Sequence, residues 1–220
     1  MDQKKETLAD KFNRLMGKAN VEGAKDYILD TIRGSARIYN NSTNSETADL
    51  LCFAENQSGF STYSSNYSQL LTNQTSNAGQ LPAGERFLVT GLKFSLVAPQ
   101  YGVEALLGHA LISTLFINAA ATFITSNKPA WSGVLGTLRP PTPVSIQATD
   151  AWASGVEDKT YYINNSIRVD LREHPIAIRS QYPFDMRINT GKVTQATFNL
   201  STNHLFLMCE LLGIRERPVS

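Results

Sequence analysis

A two-residue period of apolar and polar positions runs through the chain after residue 85. In RFLVTGLKFSLVAP (residues 86–99), Leu88, Leu92, Phe94 and Leu96 fall on one face, Lys93 and Ser95 fall opposite, and Pro99 ends the run. SIRVDLR (166–172) alternates more strictly, with Ile167, Val169 and Leu171 against Arg168, Asp170 and Arg172. FDMRIN (184–189) repeats this with Phe184, Met186 and Ile188 inside. Such runs predict half-buried strands. Further strands are expected at 110–118, 121–126, 143–148, 159–163, 193–200 and 204–214, joined by Gly- and Pro-rich connections such as SGVLGTLRPPTP. Many short strands with turn signals and no helical units between them predict an antiparallel sandwich.

The terminal run has a different pattern. Leu205, Leu207, Cys209 and Leu211 alternate with Phe206, Met208, Glu210 and Leu212, so both faces are apolar except at Glu210. A strand covered on both sides belongs in the middle of a sheet. Arg215, Glu216 and Arg217 are expected to form a charged tail emerging beyond it.

Ahead of residue 85 the periodicity changes. Leu8, Phe12, Leu15 and Met16, and then Ala24, Tyr27, Ile28 and Ile32, recur at helical spacing around Gly17 and Asn20. They predict a helical N-terminal region over residues 1–38. Its eight Lys or Arg are mixed with six Asp or Glu over residues 1–40, which suits a solvated face or a protein contact better than a nucleic-acid arm. Residues 39–84 read as an arm or linker. Twenty of the forty-one residues from 40 to 80 are Asn, Ser or Thr, and none is Lys or Arg. LLCF (50–53) and the spacing of Phe60, Tyr63, Tyr67 and Leu70 offer apolar anchors, either for an ordered arm or for a short extra helix. The predicted organisation is therefore a helical region (1–38), a polar arm (39–84) and a β-sandwich domain (85–220).

Composition sharpens this only by exclusion. A net charge of +1, with 18% charged and 42% hydrophobic residues, is that of a folded chain with no polyanion-binding tail. The uncharged stretch 105–124 has the length of a bilayer span, but Gly108, His109, Ser113, Thr114, Asn118 and Thr122 interrupt it. Two buried strands with a turn explain it better. The first twelve residues carry no apolar signal core, so an intracellular start is expected and the sequons at Asn56 and Asn66 read as incidental. Cys52 and Cys209 are expected to be free thiols, with nothing tying one to the other.

No catalytic, cofactor or metal residue is expected. His109, His174 and His204 are dispersed, no Gly-x-Ser-x-Gly elbow occurs, and SGVLGTLR lacks the Lys of a phosphate-binding loop. Trp131 and Trp152 lie in loop-like sequence, where their rings would either stack on sugars or, as we favour, pack under their loops or in a subunit contact.

The succession GERFLVTGLKFSLVAP, ALISTLFINAA, HPIAIRSQYPFDMRINTG and HLFLMCELLGIRERPVS resembles the single jelly-roll capsid proteins of tailless icosahedral viruses, bacteriophages especially. The resemblance spans about residues 85–220 and is one of strand order and character. It implies a jelly-roll β-sandwich in a non-enzymatic structural protein of the virion, made in the host cytoplasm. Its partners would be further copies of itself, with other capsid proteins and nucleic acid as secondary contacts. A glycan- or receptor-binding sandwich is the alternative expectation, and a metal-dependent cupin-like barrel a remote third.

Overall fold

The computed structural model describes residues 6–17, 24–38, 50–53, 73, 79–97, 119–138, 166–189 and 205–219. One helix, α1 (Leu8–Met16), precedes strands β1 (Lys25–Ile38), β2 (Leu50–Leu51), β3 (Arg86–Val97), β4 (Ala120–Thr125), β5 (Lys128–Val134), β6 (Ile167–Asp170), β7 (Ile176–Ile178), β8 (Phe184–Asn189) and β9 (Leu205–Pro218). A short 3-10 helix, Leu135–Leu138, follows β5.

The strands form two antiparallel sheets. One has the order β1-β9-β3-β6, with β7 pairing further along the same edge of β3; the other has the order β2-β8-β4-β5. The pairings nest: β1 with β9, β2 with β8, β3 with β6 and β7, β4 with β5. Two further contacts complete the sheets: β3 with β9 sets the last strand between the first and the third, and β4 with β8 sets the eighth between the second and the fourth. The chain thus runs like one long hairpin rolled up until its arms touch a second time.

Between the sheets lies one core. Ile32, Phe87, Leu92, Phe94, Leu207, Cys209 and Leu211 meet Leu50, Phe123, Met186 and Ile188, all buried. The mainly β, two-sheet expectation holds, and β8 coincides with the FDMRIN segment. β3, β4, β6 and β9 fall where alternation put them, while the strands expected at 110–118, 143–148, 159–163 and 193–200 lie outside the described residues.

Several expectations are corrected. Among the described residues of the N-terminal region, helix covers Leu8–Met16, and the second predicted helical stripe is strand β1. Ile32, Gly34 and Ala36 point inward at a period of two, and the spacing of Tyr27, Ile28 and Ile32 mimicked a helix only because β1 is apolar on both faces near its start. β1 and β2 are therefore sheet members ahead of residue 85, where no strand was expected. The KPAWSGV segment is strand β5 rather than loop. It is reached from β4 through a two-residue turn in which Ser126 (φ 51°) and Asn127 (φ 62°) both adopt the left-handed region that a type I′ hairpin requires.

Leu88 does not share a face with Leu92. A bulge between Val89 and Gly91 inserts Thr90 and reverses the alternation, sending Leu88 to the outer surface while Phe87 and Val89 point inward. Opposite the bulge the backbones approach closely: a Cβ on Gly213 would lie 2.1 Å from the Leu88 carbonyl oxygen. β9 also continues through the charged residues to Pro218, so Arg215, Glu216 and Arg217 are strand positions and not a tail.

Candidate interaction surface

The outer face of the five-stranded sheet carries charged residues arranged in rows by the strand register. In one row Tyr27, Glu216 and Arg86 stand side by side on β1, β9 and β3. Glu216 is 1% exposed, so its charge must be met locally. Arg86 grips it with two guanidinium nitrogens at 2.9 and 2.6 Å, and Lys25 stands 3.8 Å away. Burial pushes the Glu216 carboxyl up, but the Arg86 fork, the Tyr27 hydroxyl and the charges of Arg86 and Lys25 outweigh it and leave it below the usual range.

A second row crosses four strands: Arg33, Glu210, Lys93 and Arg168. Glu210, buried as β9's double-sided apolar pattern requires, is held by Lys93 at 2.7 Å and Arg33 at 3.3 Å. Beyond it, on the exposed bend after β6, Arg172 clamps Asp170 and lowers its carboxyl to about 2.

Helix α1 lies on this face. It starts on a reciprocal capping box between Thr7 and Asp10. Phe12 is fully buried against Leu88 and Ile214, the two residues that the bulge and the parity of β9 turn outward. The Tyr27 ring meets Phe12 edge-on at 5.4 Å, its hydroxyl hydrogen-bonding Asn13. The guanidinium of Arg86 sits 5.0 Å from the Phe12 ring centroid and donates to the Gly17 carbonyl at 2.9 Å. Arg86 thus joins the buried carboxylate below to the helix above. Beside the helix Leu29 stays 73% exposed, in register with Ile214.

The long strand β1 borders this sheet, and one residue of the polar arm docks on it. Asn73 accepts from the Arg33 amide at 2.7 Å, donates its side-chain amide to the Thr31 carbonyl at 2.6 Å, and donates its backbone N–H to the Arg33 carbonyl at 3.3 Å. A side-chain amide that imitates a paired strand covers part of an edge that would otherwise recruit foreign chains.

Arg215 and Arg217 do not project freely. Arg215 bridges Asp30 at 2.6 Å and Glu85 at 3.3 Å and lies over the Phe87 ring at 5.9 Å, while Arg217 bridges Asp26 at 3.0 Å. Trp131 is turned into the sandwich, stacked on Phe94 at 6.1 Å, so its ring is used in joining the two sheets. Trp152, His109 and His204 lie outside the described residues, and His174 is exposed on the bend before β7. Among the described residues no three His, Cys, Asp or Glu gather as metal ligands, and no helix is long and apolar enough to cross a membrane. Both cysteines are free and buried, and they are not independent: each thiol is pushed up by burial, and Cys52 lies close enough to Cys209 to feel its charge.

Sequence reasoning missed Arg86, Glu216 and Asn73 as organisers. Glu210 was visible as the single charge in an apolar run, whereas Asn73 is one Asn among many. No protein-family model matches the chain, and no curated protein matches it significantly.

Proposed function

We propose that this protein is a structural capsid protein of a virus or bacteriophage, a jelly roll whose copies build an icosahedral shell or its vertices. The observation that supports this reading most is the nested strand order, β1-β9-β3-β6 facing β2-β8-β4-β5. It fits the order expected from rolling an eight-station hairpin into two four-station sheets, and so supports a jelly roll of the kind that viral capsid domains share with lectins and cupins. The surface described above adds to it. A helix docked by one aromatic residue and an arm residue lying along a sheet edge suit a subunit whose N-terminal segments reach toward neighbours. The charged side chains of this surface are paired with one another, Glu216 with Arg86, Glu210 with Lys93 and Arg33, and Arg215 with Asp30, which suits a scaffold.

Size-exclusion chromatography with light scattering, followed by negative-stain electron microscopy, tests the reading. Pentamers, trimers or closed shells are expected. A monodisperse monomer that is retained on a glycan array would overturn it in favour of a carbohydrate-binding sandwich.

A further inference from the structure

Where β2 ends, its ladder with β8 is completed by a side chain. Leu50 and Leu51 pair with Ile188 and Arg187, and the Cys52 amide donates to the Met186 carbonyl at 3.0 Å. At the next station the acceptor changes: the Phe53 amide donates at 2.8 Å to Oδ1 of Asp185, the same oxygen that accepts from the Met186 amide at 2.7 Å. Phe53 beyond it is buried, tilted against Phe184 at 5.3 Å, and fills the space over Gly34, where a Cβ would come within 2.5 Å of the ring.

The carboxylate that closes this ladder has poor solvation and little countercharge. Among the described residues, the charged or titratable groups that bear on it are Arg187 of its own strand and the buried thiols Cys52 and Cys209, while its cross-strand neighbour on β4 is Ile124. No cation among the described residues grips it as Arg86 grips Glu216.

We propose that Asp185 is a proton-operated clasp: protonated, it fastens the 50–53 segment of the polar arm onto the sandwich, and ionised, it lets that segment open locally. Burial raises its carboxyl from the usual 3.8 to about 6, against the lowering effect of the Phe53 and Met186 amides and of Arg187. A closed state that binds the proton more tightly than the open one is favoured fully below the ordinary value, and this advantage is lost as pH rises through about 6. Opening should therefore increase roughly tenfold per pH unit between about 4 and 6, on the order of a hundredfold in all, and level off above. The clasp involves only contacts within one subunit and does not depend on the capsid reading.

Cys52 reports the opening directly, because it is buried in the moving segment while Cys209 is buried in the central strand. The whole protein is labelled with 4,4′-dithiodipyridine from pH 4 to 8, alongside Asp185→Asn, which keeps an acceptor oxygen but cannot titrate. The expected result is that the ratio of wild-type to variant Cys52 labelling rates rises about a hundredfold between pH 4 and 7, with Cys209 protected throughout. A flat ratio, or Cys209 reacting as fast as Cys52, would overturn the proposal. Should the variant fail to fold, hydrogen exchange in the wild type decides: protection of the Phe53 amide must fall with rising pH, beyond the intrinsic rate change, while the β9 amides stay protected.

Discussion

Glu216 and Asp185 are both poorly solvated carboxylates, yet their surroundings drive them in opposite directions. A bidentate Arg86 and a nearby Lys25 hold Glu216 ionised, whereas among the described residues Asp185 has amide donors and the exposed Arg187. The difference predicts opposite pH effects. A depressed carboxyl contributes stability that is present above its unfolded value of 4.5 and is lost as pH falls through its lower folded value. Replacing Glu216 with Gln should therefore cost about 1.5–3 kcal/mol at pH 7, the range for a hydrogen bond to a charged group, and less near pH 3, below the unfolded value. Urea unfolding of both proteins at the two pH values measures it; an equal cost at both would show that packing and not charge is at stake. None of this was legible in ELLGIRERPVS, because a charged triplet after an apolar run looks the same whether it is solvated or paired across three strands.

At the scale of elements, legibility followed from how many faces a segment buries. β6 and β8 bury one face, their alternation is clean, and both were readable. β1 begins with apolar residues on both sides, since α1 covers part of its outer face, and its period of two was lost in a helix-like spacing. β5 opens on Lys-Pro and contains Gly133, residues that argue against a strand, and is tolerated because it lies at the edge of its sheet. α1 was readable from its own amphipathic stripe, but not its partner, since the bulge that turns Leu88 outward leaves no mark in the alternation. The helix is held chiefly by Phe12, whose burial contributes about 1.5–3 kcal/mol, with the Arg86 contact adding about 0.5–2 kcal/mol. Phe12→Ala should therefore release α1 and leave the sandwich folded. Limited proteolysis should then cut within residues 6–17 of the variant but not of the wild type, with near-identical β-type circular dichroism; a collapse of the whole spectrum would make the helix part of the obligatory core.

For the molecule as a whole, β9 is the organising element: it is paired on both sides, and its inward residues Leu207, Cys209 and Leu211 are fully buried. The sequence already marked it as central. Leu207→Asp should abolish folding, because it places an unpaired carboxylate in the core and removes packing worth roughly 2–5 kcal/mol, comparable with a domain's whole margin. Soluble, cooperatively melting variant protein would show that β9 is not central. That position also has a consequence during synthesis. β1 and β3 flank β9 but leave the ribosome well before it, Val97 and Leu205 being separated by 107 intervening residues. At usual elongation speeds those two strands wait roughly 5–20 s with their facing edges open, a template for wrong partners on a crowded polysome. Nascent chains of this protein should therefore be frequent clients of chaperones that shield strand edges, and a translational pause upstream of residue 205 should lower the yield of soluble subunits without altering the finished protein.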